Sequence, residues 1–200
     1  MKAVVTADDV RAVSAGGELA TTAGAIVTPW ARELAATRGV RIVQGPAATG
    51  GNVVALGSDH GGFSLKEKVR EHLARLGYRA RDLGCFSSEP VDYPDVALLV
   101  AEAVRAGEAR FGILVDGAGI GSAMAANKVP GVRAALCVNA AAARNAREHN
   151  DANLLTLGAA FVDEPRMQEI VATFLSAECT EERHARRVRK IGAIEQKYLK

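Results

Sequence analysis

The sequence lacks most of the devices that staple small or secreted proteins. Its three cysteines, Cys85, Cys137 and Cys179, are an odd number, far apart and without a CxxC pair. That excludes a disulfide framework or a cysteine zinc site and fits a reducing compartment. The four histidines form no HxxxH or HExxH pair, so no metal is expected. A one-sided charge is missing too. Lys+Arg 25 against Asp+Glu 23 leaves +2, and no basic field argues for nucleic acid. No apolar run is long enough to span a bilayer. The opening MKAVVTADDV has one lysine and then Asp8 and Asp9, without the apolar core of a signal peptide or the arginine bias of a transit peptide. The expected compartment is the cytoplasm, with no membrane contact. No internal repeat or low-complexity tract occurs.

What remains is the composition of an ordinary globular chain: 200 residues, 48% apolar and 24% charged, one domain with a modest surplus. Three short apolar runs, VVALGSD (53–59), FGILVDG (111–117) and VRAALC (132–137), end in polar or glycine residues. Strands buried on both faces of a parallel sheet read this way. Weaker strand signals lie at 78–83 and 153–158. Between them, Leu65, Val69, Leu73 and Leu76 form one helical stripe that stops at Gly77. Further helices are expected over 94–105, after Gly121, and over 140–148. By phase, His72 sits on the surface of its helix. Strands alternating with helices predict a doubly wound, Rossmann-like α/β fold with five parallel strands and helices on both faces. A last helix, TEERHARRVRKIGAIEQKYL, can be capped by Thr180. Residues 1–50 lie outside this unit. They hold a short helix signal after Thr6 and a second helix that opens at Thr28-Pro29 and stops at Gly39. GPAATGGN (45–52) reads as a flexible linker. The expected division is therefore 1–50 and 51–200.

In a doubly wound sheet, ligands bind beyond the carboxyl ends of the strands. That rule selects Asp59-His60-Gly61-Gly62 after the first strand of the main unit and Asp116 with Gly117, Ala118, Gly119, Ile120 and Gly121 after the third. Arg147-Glu148-His149-Asn150, just before the last strand, is taken with them. Asp59 and His60 suit sugar hydroxyls or proton traffic, or else Asp59 only caps a helix. The glycine loop either turns N–H groups toward a small anion or is a plain tight turn. It is GxGxG rather than GxGxxG, no acid follows at the ribose distance, and a Walker lysine is absent, which disfavours a nucleotide. Asp116 can abstract a proton α to a carbonyl, or it can cap the next helix. Arg183 and Arg187, one turn apart, can grip a phosphate or belong to a solvated face.

Together these pieces resemble a known family. SDHGGFSLKEKV, LGCFSSEPVDYPDVA, GILVDGAGIGSAMAANKVPGVRAAL, AREHNDANLLTLG and RHARRVRKIGAIE stand in the order found in type B ribose-5-phosphate isomerases, a family that includes galactose-6-phosphate isomerase. The likeness covers about residues 52–197. It implies a homodimer that interconverts aldose and ketose phosphates without metal or nucleotide, in sites built from both subunits. It implies that Asp59 and His60 contact the sugar and that the 117–121 loop binds the enediolate. It implies further that His149 assists ring opening beside Asn150, that Tyr93 lines the pocket, and that Arg183 and Arg187 hold the phosphate. This chain departs from the family where many members carry a cysteine base (here Asp116), a threonine or serine (Ala118), an arginine (Ala160), or, in some relatives, a glutamate base (Ser122). Asp116 is therefore the expected base. The alternative is a non-catalytic sugar-phosphate-binding or assembly relative. GAIVTPWARELAATRGVRI resembles segments on enzymes associated with bacterial microcompartments, which makes residues 1–50 an encapsulation element or a plain addition.

Overall fold

In a computed structural model that describes residues 4–21, 25–44 and 51–199, the chain divides into two units, residues 1–49 and 50–200. The first contains β1 (Val4–Val5), α1 (Ala7–Arg11), β2 (Glu18–Thr21), β3 (Ile26–Val27), α2 (Pro29–Arg38) and β4 (Arg41–Gln44). Both helices start where the capping residues predict. The Asp9 carboxylate accepts from the Thr6 backbone N–H and hydroxyl, each at 2.7 Å, and Thr28 Oγ1 accepts from Ala31 N at 3.2 Å. Gly39 ends α2 in the left-handed region, φ 66°. The four strands were not expected. They pair in parallel as β1–β3 and β2–β4, and runs of two to four residues are too short to show a period. Val5, Val10, Ala31, Ala35 and Val40 form the small core. Of the expected linker, residues 45–50 lie outside the described residues, and Gly51 and Asn52 form a turn.

The second unit is the expected five-stranded parallel sheet. Its strands are β5 (Val53–Ser58), β6 (Arg79–Asp82), β7 (Phe111–Asp116), β8 (Ala134–Leu136) and β9 (Leu154–Gly158), in the order β6-β5-β7-β9-β8. Every residue of β5, β7 and β9 is buried, which is why these runs are apolar without alternation. One face packs on α3 (Phe63–Arg75), α6 (Ala140–Asn150) and α7 (Glu164–Ser176) through Val69, Leu73, Ala143, Ile170 and Phe174. The other packs on α4 (Tyr93–Arg105) and α5 (Ile120–Ala126) through Val96, Val100 and Ala126. The winding reverses between β5 and β7, and this is the switch point of the sheet.

Two sequence expectations need correction, and one helix was not expected. Helix α7 went unread, although Asp163 caps it by accepting from Arg166 N at 3.0 Å and Pro165 stands in its first turn. The last helix, α8 (Glu182–Tyr198), begins after Glu181, not Thr180, and has no side-chain cap. His72 is half-buried against α7, with Nε2 3.2 Å from the Gln168 carbonyl. Packing by α7 covers a face that helical phase alone assigns to solvent.

Candidate functional site

Two loops meet at the switch point. After β5, Asp59 N donates to the Val115 carbonyl at 3.2 Å, and Asp59 Oδ1 accepts from Gly62 N at 2.8 Å. Gly62 is required by close approach, because a Cβ there would lie 2.1 Å from the Val115 oxygen. His60 is exposed, its Nδ1 accepts from Val91 N at 3.3 Å, and among the described residues its Nε2 meets no partner. Tyr93 opens α4, and its ring lies over Gly121, where a Cβ would stand 2.6 Å from Cζ. Asp59, His60, Tyr93 and the 117–121 loop therefore share the carboxyl edge of the sheet.

Asp116 is 4% exposed, and its carboxylate is turned into the loop. Oδ1 accepts from Ala118 N at 2.8 Å and from Gly119 N, and Oδ2 accepts from Ser122 N at 3.0 Å. The capping reading of Asp116 is thus visible in its geometry. One accepting position, on Oδ2, is left over. The same bonds change the expected anion cradle. The N–H groups of Ala118 and Gly119 serve Asp116, and among the described residues those of Gly117, Ile120 and Gly121 meet no acceptor. Gly119 sits at φ 75°, with a virtual Cβ 2.9 Å from Gly158 N, so the loop needs glycine for both shape and room. Thr156 Oγ1 ties the loop down by donating to the Gly119 carbonyl at 2.8 Å. Ala160 N donates to the Gly117 carbonyl at 3.0 Å, so this position holds the loop through its backbone alone.

His149, Asn150, Arg183 and Arg187 are elsewhere. Helix α6 follows β8 and returns to the start of β9, so its last turn, with His149 and Asn150, is at the amino edge. The carboxyl-edge rule therefore does not select His149, contrary to the sequence expectation. The six residues of β7, at about 3.3 Å each, put roughly 20 Å between the two groups within one chain. At the amino edge the His149 and His184 rings stack 4.0 Å apart, 14° from parallel. They border a cavity of about 310 Å³ that Arg183, Glu148, Glu178 and Glu181 also line. Arg183 Nε is 3.9 Å from Glu181, and among the described residues Arg187 makes no ion pair. Burial, then the charges of His149, Arg183 and Arg187, holds the His184 pKa below the usual imidazole value, with Glu181 opposing.

The group that fixes this edge is Arg147, which the sequence offers only as the first residue of the 147–150 run, without a role of its own. Arg147 is buried. Its Nη1 donates to Asp151 Oδ1 and to the Ala152 carbonyl, both at 2.8 Å, and its Nε donates to the Ala177 carbonyl at 3.2 Å. It thereby ties the end of α6 to the segment that leads into α8. The only signal was an arginine two places before His149. Burial pushes the Cys137 thiol up to about 11, which keeps it from serving as a base. Among the described residues no three His, Cys, Asp or Glu side chains cluster as a metal site requires, and no helix is long and apolar enough to cross a membrane.

The family profile for Ribose/Galactose Isomerase matches residues 54–191. Ribose-5-phosphate isomerase B of Escherichia coli is 43% identical over 144 residues, 72% of this chain and 97% of that protein. A putative sugar phosphate isomerase of Bacillus subtilis is 42% identical over 147 residues, 73% of this chain and 99% of the relative. Among solved structures, Clostridium thermocellum ribose-5-phosphate isomerase B is similar with a TM-score of 0.72 and 51% identity, covering 74% of this chain and 99% of that one.

Proposed function

The chain belongs to the ribose/galactose isomerase family, and on that footing we propose that it interconverts an aldose phosphate and its ketose, ribose 5-phosphate and ribulose 5-phosphate or a near relative, as a homodimer without cofactor or metal. The observation that carries this reading is the switch-point arrangement, an acid–imidazole pair (Asp59, His60), a tyrosine and a glycine loop with free N–H groups gathered at one edge of the sheet. Asp59 and His60 bind sugar hydroxyls, and Tyr93 closes the pocket wall. Asp116 takes the C2 proton through the open position on Oδ2 and returns it to C1. The N–H groups of Gly117, Ile120 and Gly121 face the enediolate oxygen, and donors preorganised in this way stabilise charge that develops in the transition state. His149 with Asn150 assists ring opening, and Arg183 with Arg187 holds the phosphate.

One copy cannot bring His149 and the arginines to the glycine loop, since they lie on opposite edges. We therefore assign each site to two chains, with the carboxyl edge of one facing the amino edge of the other. Exposed Phe86, Tyr93, Ile120 and Phe161, on segments that follow the carboxyl ends of strands, support a covered edge. The engaged carboxylate of Asp116 is the observation behind a second reading, a non-catalytic sugar-phosphate binder. A panel of four- to six-carbon aldose phosphates, assayed with and without a chelator, separates the two. Chelator-resistant turnover supports the isomerase, and its absence with every substrate supports the binder.

A further inference from the structure

At the amino edge, Asn145 stands one helical turn before His149 on α6, and its Nδ2 lies 2.9 Å from His149 Nδ1. His184 covers one face of the same ring at 4.0 Å. His149 is thus held both in its plane and across its face, and among the described residues no hydrogen bond occupies Nε2. An amide Nδ2 only donates, so the Nδ1 it meets is the lone-pair nitrogen and the ring proton is on Nε2. His184 is 4% exposed, and its buried Nδ1 has no partner. A charged His184 would bury an N–H without an acceptor, so the ring under His149 is neutral.

We propose that Asn145 is a positioning residue that fixes His149 as the Nε2–H tautomer, with neutral His184 fixing its plane, so that His149 meets the sugar as a hydrogen-bond donor and not as a lone pair. The proposal rests on the isomerase reading above. A donor at Nε2 suits an oxygen that gains negative charge as a sugar ring opens. The other charges facing the pair are Arg144 and Glu148 on α6, Glu178 and Glu181 on the segment before α8, and Arg183 and Arg187 on α8. Glu148 is already paired with Arg144 at 3.5 Å. None of the described groups contacts Nδ1 in place of Asn145.

The test uses the full-length protein, with ring-nitrogen NMR of His149 and turnover on two substrates. In the wild type at pH 8, Nε2 should be protonated and Nδ1 bare. Asn145→Asp presents only acceptors to Nδ1 and should reverse that pattern, whereas Asn145→Leu should leave a mixture. Asn145 is exposed, so both variants should fold. Asn145→Asp should lower turnover of a cyclic five-carbon aldose phosphate roughly 100-fold, the lower end for a positioned proton donor. It should spare a tetrose 4-phosphate, whose esterified oxygen cannot close a five-membered ring. A wild-type Nδ1–H tautomer, or equal losses on both substrates, would overturn the proposal. If the wild type turns over neither sugar, the isomerase reading fails, and the nitrogen shifts still decide the tautomer.

Discussion

Asp116→Asn separates the loop-capping job that the Asp116 carboxylate performs in the structure from the base role proposed for it. The amide can keep its oxygen toward Ala118 and Gly119 N–H, but its NH₂ then faces Ser122 N–H, donor against donor. One buried N–H left unpaired costs about 1–3 kcal/mol, and weakening two charge-assisted bonds to neutral ones adds about 1 kcal/mol each. The sum, about 3–5 kcal/mol, lowers the melting temperature on the order of 10 °C and still leaves a folded protein. If Asp116 is also the base, turnover falls by a factor of about 10² to 10⁴, or about 2.7–5.4 kcal/mol of barrier. Binding of an unreactive sugar phosphate should change far less, since proton abstraction acts in the transition state. Asp116→Cys removes the same cap but sets a thiol at the strand end, so its turnover should stand well above that of Asp116→Asn at similar stability. The assay is ketose formation at saturating aldose phosphate, beside a thermal melt of each variant. Near-normal turnover in Asp116→Asn, or equal turnover in the two variants, would refute the base and leave Asp116 as a cap alone.

Deleting residues 1–49, which carry none of the switch-point or amino-edge residues, should leave turnover within a few-fold. A loss of about 100-fold, near 2.7 kcal/mol of barrier, would show that they build the site. Removing residues 180–200 takes away Arg183, His184 and Arg187 together with the exposed Ile191, Ile194 and Tyr198, and should weaken both self-association and phosphate binding. An active monomer by sedimentation would contradict this. Stability should fall with acid. His72 and His184 have folded pKa values below the ordinary imidazole value, both first because of burial. The unfolded chain therefore binds their protons first. Their contribution is fully present above about pH 6.5 and is lost as pH falls through the lowered folded values. Melting curves from pH 8 to 5 should show this fall, flattened in His72→Gln, and an unchanged slope in that variant would count against the assignment.

Periodicity and composition carried the main unit a long way. The runs at 53–59 and 111–117 were legible as doubly buried strands because parallel strands covered on both faces have no polar side to show. Asp163-Glu164-Pro165 before Met167, Ile170, Val171 and Phe174 carries the signal for α7, a cap and a first-turn proline ahead of an apolar stripe. The two-residue strands β1 and β3 could not be read, since pairing between distant segments creates them.

The fold class and the glycine loop could be read from the sequence alone. Turn geometry and strand burial are local demands, and they leave local traces. Which of the candidate residues stand together depends on how distant segments pack. Strand order and helix direction put His149, Arg183 and Arg187 at the amino edge and the 117–121 loop at the carboxyl edge. Packing also turns Asp116 inward to hold three N–H groups. A carboxylate at a strand end is free to face either the loop or the cleft, and the hydrogen bonds available after folding choose between them.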